Sequence, residues 1–356
     1  MRLLTVIAEL GSGGAETVVD DLARHALAGG DLVDLASDGG WRADELAREG
    51  AALVRLPLRS SDPADLARSV LRLRRHVRQA PPDVVHAHNV RATLAAHLGT
   101  RWPRRRPPLV TTVHGLDAGD YPRAARVLQR CADRVVAVSD DVAERLRAAG
   151  LPDDRLVVIE NAVPAPVLPA PAVARAALGL PADAPVGLCV ARLEAPKRHD
   201  LLVEAWRTLP DDAVLLVAGE GSGRAALERQ VAAAGLGARV RLLGERHDVP
   251  LLLAAADLLV LPSDREGLPM AVLEAMAAGV PVVASAVGGL RSLDRATLEL
   301  VAPGSAEALA AALGSVLADR PGAAVRAHRA QEAVSQRYSS SAMRLAYQNL
   351  FTVQIG

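Results

Sequence analysis

Short apolar stretches alternate with stretches of helical periodicity along almost the whole chain. Strands that alternate with helices are typical of doubly wound parallel sheets, in which ligands bind beyond the carboxyl ends of the strands. The predicted strands span 2–8, 31–36, 51–56, 83–86, 109–113, 134–138, 156–159, 186–191, 213–218, 239–243, 257–261 and 280–284. The predicted helices span 42–49, 62–79, 90–99, 121–131, 140–149, 199–208, 223–235 and 248–255, with another from about residue 15. Helices are predicted to dominate after about residue 305.

A proline-rich segment divides this alternation into two halves. It runs from Val163 to Pro171 as VPAPVLPAP, which favours an extended and semi-rigid linker. A chain of 356 residues is long enough for two ordinary domains. We predict one domain over 1–163 and a second over 164–339, with a last helix at about 340–356 that packs back on the first domain.

The stretch DREGLPMAVLEAMAAG, from Asp264 to Gly279, predicts a loop and a helix after a buried strand. Pro269 is typical of the first turn of a helix, and Gly279 of the residue just past its end. Glu266 then lies in the loop and Glu274 in the helix, so both carboxylates can face a ligand that crosses the helix start. Backbone N–H groups at that start favour an anion such as phosphate. A phosphate between two carboxylates that accept hydroxyl protons describes a sugar nucleotide, although this spacing also occurs by chance in capped core helices.

Two cations lie in the loop after the first strand of the second half. Arg192 is at the carboxyl end of that strand, and Lys197 is just before the next helix. Lys197 is the only lysine among 41 basic residues. Either this lysine is present by chance, or it marks a site that needs a compact point charge. With the helix start near Leu268, the two cations would complete a cradle for a diphosphate. Another loop at the same sheet edge, Gly219-Glu-Gly221-Ser-Gly223, adds a further weak indication.

The first half has its own glycine-rich loop, after its first strand. Glu16 occupies the third glycine position of a dinucleotide motif, so the motif is incomplete. The loop predicts either a tight turn or a close approach of the Gly13 and Gly14 backbone to a ligand.

Three histidines follow strand ends in this half: His86 and His88, with Asn89 next to them, and His114. A structural histidine with satisfied hydrogen bonds is the commoner outcome for any one of them. Three histidines at the ends of strands nevertheless predict that at least one of them has a role in the ligand cleft.

Composition argues against several other classes of protein. A formal net charge of zero and 2% aromatic residues argue against nucleic-acid binding. No apolar run reaches the roughly 18 residues of a membrane span, and the amino terminus enters a strand rather than a signal peptide. Cys131 and Cys189 are expected to be reduced core residues of a cytoplasmic protein. Metal-ligand clusters and the Asp-x-Asp motif are absent from the sequence, so we expect no bound metal.

Residues 62–110 contain ten Arg and three acidic residues. This excess of arginine has two interpretations: a solvated arginine-rich face, or a weak contact with an anionic membrane or acceptor. We give the solvated face more weight. A membrane contact would place the protein at the inner face of the membrane.

The order and spacing of these motifs resemble the retaining glycosyltransferases of family 4, also called group 1, over almost the whole length. The resemblance rests on segments 13–16, 114–115, 138–139, 190–197, 219–221, 266–274 and 287–289. It implies the α/β GT-B fold, with two Rossmann-like doubly wound parallel-sheet domains that face across a cleft. The first would bind the acceptor and the second the nucleotide-sugar donor.

The resemblance also implies an activity and a role for individual residues. A hexosyltransferase of this kind moves a hexose from a nucleotide diphosphate sugar, UDP above all, to a hydroxyl of a glycan, lipid-linked or small-molecule acceptor, without a metal or other cofactor. Arg192 and Lys197 would hold the diphosphate, Glu266 the sugar hydroxyls and Glu274 the ribose. The implied catalytic set is His114, Glu266, Arg192 and Lys197; the implied donor set is Gly13, Gly14, Arg192, Lys197, Gly219, Glu266, Gly267, Leu268 and Glu274; the weaker acceptor set is His86, His88 and Asn89.

The chain departs from the family pattern at four places. Ala191 and Arg198 stand where glycines are usual beside the two cations, and Ala162 replaces the glycine of an Asn-Gly pair. Residues 290–292, Leu-Arg-Ser, replace the usual proline and acid. These departures leave the donor cradle in place and the preference for one donor sugar open.

Three other functions fit the same residues. One is a nucleotide-sugar epimerase on the same two-domain plan, which needs no acceptor. Another is a phosphorylase whose lone lysine carries pyridoxal phosphate. The third is a non-catalytic module that binds a sugar nucleotide.

Overall fold

The computed structural model describes residues 1–60, 62–101 and 106–355. They form two compact units. Unit 1 consists of Met1–Asn161 and the chain from Ser340 onward, and unit 2 consists of Ala162–Ser339.

The strands are short and mostly buried, as the apolar stretches predict. They are β1 (Arg2–Val6), β2 (Leu32–Ser37), β3 (Ala52–Arg55), β4 (Val84–His88), β5 (Leu109–Val113), β6 (Arg134–Ala137), β7 (Leu156–Val158), β8 (Val186–Val190), β9 (Val214–Ala218), β10 (Val240–Gly244), β11 (Leu258–Leu261), β12 (Val282–Ser285) and β13 (Glu299–Val301).

Helices connect the strands and flank them. They are α1 (Gly14–Ala28), α2 (Trp41–Arg48), α3 (Pro63–Gln79), α4 (Asn89–Thr100), α5 (Tyr121–Cys131), α6 (Asp140–Ala148), α7 (Pro171–Ala177), α8 (His199–Trp206), α9 (Arg224–Ala233), α10 (Val249–Ala255), α11 (Met270–Ala277), α12 (Ala306–Ala318), α13 (Arg320–Arg337) and α14 (Ser340–Ile355).

Each unit is built around one parallel sheet. In the part of the chain that the structure describes, unit 1 has seven strands in the order β3-β2-β1-β4-β5-β6-β7, and unit 2 has six in the order β10-β9-β8-β11-β12-β13. Both orders are doubly wound, because the chain first builds outward on one side and then returns to the middle to build on the other. The predicted fold class, two Rossmann-like parallel-sheet domains of the GT-B type, is confirmed.

The direction of strand building reverses between β1 and β4 in unit 1 and between β8 and β11 in unit 2. At such a reversal the loops leave two neighbouring strands toward opposite faces of the sheet, which opens a crevice at their carboxyl ends. The residues after β8 and β11 are Arg192, Lys197 and Glu266, and those at the ends of β4 and β5 are His88 and His114. The topology therefore places the predicted site residues at the position where such sheets bind ligands.

The last helix, α14, packs against the sheet of unit 1. The hydroxyl of Tyr347 lies 2.9 Å from the hydroxyl of Thr112 on β5, and both groups are buried. Arg344 forms an ion pair with Asp21 on α1. Tyr347 and Phe351 also lie beside the His86 ring, with ring centroids 5.2 Å away in each case. These contacts join residues from the two ends of the chain in one core.

Two elements were not predicted from the sequence. Helix α7 begins at Pro171, which the sequence analysis assigned to the end of the linker; proline is well suited to the first helical position because its φ is already helical. The linker without regular structure therefore ends at Ala170. Strand β13 has three residues and no apolar alternation of its own, and it is defined by its pairing with β12.

Candidate functional site

In unit 2, two cations and a carboxylate meet at the carboxyl ends of β8 and β11. These strands are neighbours, with Leu258 opposite Gly187 and Leu259 opposite Leu188. Within the loops that follow them, Nζ of Lys197 donates a hydrogen bond to Oε1 of Glu266 at 2.7 Å. The side chain of Glu266 is only 8% exposed and that of Lys197 is 21% exposed. This partly buried ion pair is the centre of the candidate site.

Arg192 is on the same loop and has a different environment. Its side chain is exposed, and it forms no salt bridge within the ranges that the structure describes. An exposed planar guanidinium that forms no salt bridge retains its donors for an anionic ligand, and it suits phosphate oxygens well. The loop thus offers one cation that is paired and one that is available.

The loops themselves are joined by backbone and side-chain contacts. The amide of Asp264 donates to the carbonyl of Pro196 at 2.8 Å, and Arg198 forms ion pairs with Asp200 and Asp264. These carboxylates raise the pKa of the Arg198 guanidinium above its ordinary value. Arg198 also has a φ of 51°, in the left-handed region that favours glycine. Arg198 thus replaces the glycine that is usual in the family but keeps a left-handed backbone conformation. Its two ion pairs stabilise the arginine in that conformation.

The backbone around Glu266 is fixed by the loop after β12. Gly288 has a φ of 50°, and a Cβ there would lie 1.8 Å from the Glu266 carbonyl oxygen. The amide of Gly289 donates to the carbonyl of Gly267 at 2.7 Å. Gly267 and Leu268 are both buried, so the backbone that leads into α11 is closely packed.

Helix α11 has the predicted composition and a slightly different start. Pro269 precedes the helix as its N-cap, with a φ of −73°, and the first helical residue is Met270. The amides of Val272 and Leu273 donate to the carbonyl of Pro269 at 3.2 and 3.3 Å. This leaves the amides of Met270 and Ala271 to stabilise an anion. Glu274 lies in the middle of α11 and is half-buried. Gly279, just after the helix, has a φ of 68°, as predicted for a residue that ends a helix.

Gly219 follows β9 and has a structural reason to be glycine. Its φ is 149°, and a Cβ would lie 2.0 Å from the carbonyl oxygen of Ala191. Its amide donates to Gly244 on the neighbouring strand at 2.8 Å. The contact with Ala191 explains the glycine without a ligand, and its assignment to the donor set stays a prediction.

In unit 1, the structure brings His88 and His114 together. Nδ1 of His88 lies 2.9 Å from Nε2 of His114, and the rings are inclined by 17°. His86 lies on the same strand as His88, and its Nε2 lies 2.8 Å from the Thr112 hydroxyl. Asn89 begins α4 with a φ of 70°, a left-handed conformation that asparagine tolerates better than most residues. The structure shows a histidine cluster at the ends of β4 and β5, and the acceptor-binding roles of His86, His88 and Asn89 stay predictions.

Burial keeps these histidines neutral. It lowers the pKa of His114 from 6.5 to about 4. It also lowers the pKa of His86 to about 3, with a further contribution from His114. The pKa of His88 is well below its ordinary value, because of burial first and of His86 and His114 second. A buried cationic imidazole is costly without a counter-charge, so the neutral forms prevail at neutral pH.

The glycine-rich loop of unit 1 leads into α1. Gly13 has an extended backbone with a φ of 179°, and Gly14 is the first helical residue. A Cβ on Gly13 would lie 2.2 Å from the end of the Glu16 side chain, which is flexible. The backbone therefore does not require glycine here, and a close ligand approach at Gly13 and Gly14 stays a prediction.

Several arginines of the basic region 62–110 are engaged within unit 1. Arg68 pairs with Asp65, Arg106 with Asp133, and Arg72 donates to the carbonyl of Arg55. Residues 102–105, which belong to this region, lie outside the described residues. The helices that the structure describes include none long and apolar enough to cross a membrane. A weak membrane contact stays a prediction.

Sequence analysis missed the partners that hold these residues. Tyr347 and Thr112 are 235 positions apart, and no local pattern connects them. Asp264 was named only as the start of a stretch, although it holds Arg198 in its unusual conformation. Both partners are polar residues whose role appears only when distant segments meet.

Comparisons with known proteins show the family of this chain. Residues 12–165 match a family model described as Glycosyltransferase Family 4, and residues 172–335 match one described as Glycosyl transferases group 1. A D-inositol 3-phosphate glycosyltransferase of Xylanimonas cellulosilytica is 36% identical over 303 residues, which cover 76% of this chain and 71% of the relative. The lipopolysaccharide core biosynthesis glycosyltransferase LpsE of Rhizobium meliloti is 30% identical over 317 residues, 87% of each chain.

Solved structures share the fold. HepE of Anabaena, crystallised in complex with UDP-glucose, superposes with a TM-score of 0.87 at 23% identity, over 99% of this chain and 100% of that one. At this identity, the likeness shows the fold alone.

Proposed function

Since the chain belongs to the group 1 glycosyltransferases, family 4, we propose that it moves a hexose from a nucleotide diphosphate sugar to an acceptor hydroxyl. The chain is a glycosyltransferase; the sugar, the nucleotide, the stereochemistry and the acceptor are the proposal. The observation that carries it is the Lys197–Glu266 pair beside an available Arg192 at the topological reversal of unit 2.

The diphosphate is the part of the donor that these residues suit best. Arg192 supplies a planar fork, Lys197 a point charge and the start of α11 its N–H groups. Negative charge grows on the diphosphate as the bond to the sugar breaks, so fixed positive groups there stabilise the transition state more than the ground state. This is how the geometry would accelerate transfer.

The two carboxylates divide the rest of the donor between them. Glu266 lies in the loop before α11 and, in this proposal, accepts hydrogen bonds from the hexose hydroxyls. Glu274 lies inside α11 and accepts them from the ribose. Glu266 is already bonded to Lys197 at 2.7 Å, so one ammonium would link the sugar-binding carboxylate to the diphosphate.

A UDP-hexose is the donor that we propose. HepE, which shares the fold, was crystallised with UDP-glucose. The two relatives are named for different acceptors, an inositol phosphate and a lipopolysaccharide core. We therefore propose the acceptor only as a hydroxyl of a glycan, lipid-linked or small-molecule compound.

We propose transfer with retention and without a metal. Retention is what the resemblance to the family implies, and the route that we propose for it is attack of the acceptor on the same face of an oxocarbenium-like sugar. The positive groups named above would take the place of a divalent cation at the diphosphate. The anomeric configuration of the product, read by NMR, tests retention directly.

A two-step experiment tests the function. Thermal shift measurements with a panel of nucleotide diphosphate sugars identify the donor, and hydrolysis of that donor is then followed without acceptor. We expect slow hydrolysis by the wild type and a strong loss in Glu266→Gln, with no loss in Glu307→Gln, an exposed carboxylate on α12. Conversion of the donor to an epimer, or binding without any turnover, would contradict the proposal.

A further inference from the structure

The two histidines at the ends of β4 and β5 share one hydrogen bond and thereby one proton. A neutral imidazole carries one N–H donor and one bare acceptor nitrogen. The contact between Nδ1 of His88 and Nε2 of His114, at 2.9 Å, needs the proton on one side only. The tautomers of the two rings are therefore coupled: when His88 donates, His114 has its own proton on Nδ1, and when His114 donates, its Nδ1 is bare.

The outer nitrogens of the pair have no protein partner. Nε2 of His88 and Nδ1 of His114 are both buried, and neither forms a hydrogen bond to any residue in the described ranges. Buried polar atoms are nearly always bonded, so two such atoms on one pair require a reason. One outer nitrogen carries a proton and the other does not, because of the shared bond.

Burial decides which arrangement is preferred. A buried N–H without an acceptor is rarer in folded proteins than a buried acceptor without a donor. His88 is 1% exposed, whereas His114 is only half-buried. The outer N–H is thus better placed on His114, the ring that lies nearer the protein surface and therefore nearer a ligand oxygen. In that arrangement His88 donates through Nδ1, and its own Nε2 is bare.

We propose that His88 is a positioning residue that fixes the tautomer and the ring orientation of His114, so that Nδ1 of His114 is an N–H donor for a hydroxyl oxygen of the substrate. In this form His114 binds and orients a hydroxyl through Nδ1 and cannot take a proton there. The proposal deepens the proposed function and rests on it for the identity of the ligand, while the state of the His114 ring is a property of the protein alone.

His86 provides the contrast within the same cluster. It is as buried as His88, and their ring centroids are 4.2 Å apart. Its Nε2, however, is paired with Thr112, which also contacts Tyr347 of α14. That chain of contacts ends inside the core and does not include His114. Changing Thr112 therefore disturbs the same region without touching the shared proton.

The first experiment reads the ring nitrogens directly. The full chain is labelled with 15N-histidine, and NMR distinguishes protonated from bare nitrogens; His114 is assigned by loss of its signals in His114→Gln. We expect Nδ1 protonated and Nε2 bare in the wild type, a changed or mixed tautomer in His88→Leu, and the wild-type tautomer in His88→Asn, whose side-chain amide can replace the lost donor. Thr112→Val is the matched control and should leave the His114 tautomer unchanged.

The second experiment measures transfer with the donor found above. We expect His88→Leu to lower kcat/KM by about 10- to 100-fold, the range seen when partners that orient metal-binding histidines are removed. His88→Asn should recover most of this loss, and Thr112→Val should lower Tm with little effect on kcat/KM.

The outcomes separate this proposal from the proposed function. A wild-type His114 with Nε2 protonated overturns it, even if His88→Leu does not fold, and so does an unchanged His114 tautomer in a folded His88→Leu. Full activity in His88→Leu overturns it as well. If no donor supports transfer while the tautomers are as expected, the proposed function is wrong. The pairing of the two rings is then still established.

Discussion

Nζ of Lys197 lies 2.7 Å from Oε1 of Glu266, and the two residues come from loops that are 69 positions apart. The pair joins the residue assigned to the diphosphate with the residue assigned to the hexose. A carboxylate that is 8% exposed is costly to bury alone, and its bond to the lysine offsets part of that cost. The bond makes specific predictions for both side chains.

Lys197→Arg should impair transfer although the charge is kept. An arginine fork at this distance would engage Glu266 through two parallel bonds and would not present the same point charge to a phosphate. We expect a loss of about 1–3 kcal/mol of transition-state stabilisation, which is about 5- to 150-fold in kcat/KM. The control is Arg246→Lys, at an ion pair with Asp248 in the same unit. Wild-type kinetics in Lys197→Arg would show that transfer does not require a lysine at this position.

Glu266 and Glu274 should differ in their effect on nucleotide binding. Glu274→Ala should weaken binding of free UDP, because the ribose contact proposed for Glu274 would be lost. Glu266→Ala should leave UDP affinity equal or improve it, because Lys197 is released from its carboxylate, while transfer falls sharply. Calorimetric titration of UDP into both variants measures this. Equal losses of affinity would contradict the division between sugar and ribose.

Activity should not depend on a divalent metal. Arg192, Lys197 and the start of α11 are proposed to meet the diphosphate charge, so removing metal should leave kcat/KM nearly unchanged. The measurement is transfer by protein dialysed against EDTA, with and without added Mg²⁺ or Mn²⁺. Complete loss with EDTA that either metal restores would disprove this expectation.

Stability should fall as the pH falls from about 6.5 toward 4. The pKa of His114 is lowered to about 4 and that of His86 to about 3, from 6.5 in the unfolded chain. Between these values the unfolded state binds more protons, so acid favours unfolding, by up to about 1.4 kcal/mol per pH unit for each proton.

Urea unfolding at a series of pH values between about 5 and 7 measures this slope. His86→Gln should flatten it, because the amide can keep the bond to Thr112 and cannot titrate in this range. A slope in His86→Gln equal to that of the wild type would mean that His86 does not contribute.

Gly219→Ala should destabilise unit 2 by about 2 kcal/mol, through backbone strain at a φ of 149° and the clash with Ala191. Gly237→Ala is the matched control, because a Cβ there meets nothing within 4 Å. Thermal unfolding of both variants gives the comparison. A Gly219→Ala protein as stable as the control would show that the loop relaxes without cost.

Much of the fold followed from the sequence, because the length and spacing of apolar stretches report burial and periodicity, which are local properties. The alternation over 2–159 and 186–261 predicted parallel doubly wound sheets, and the ends of the strands located Arg192, Lys197, Glu266, His88 and His114 on sheet edges. Pro269 and Gly279 marked α11 to within a residue. Elements without a local pattern, such as the three-residue β13, were missed.

Only the tertiary structure decided which of these residues meet. Strand order is set by packing across the whole sheet, so the sequence could not show that β8 lies beside β11 and that Lys197 therefore reaches Glu266. The same holds for the shared proton of His88 and His114, which exists because β4 pairs with β5. Residue types and local periodicity determined what chemistry the chain carries; the long-range pairing of strands determined which groups act on one another.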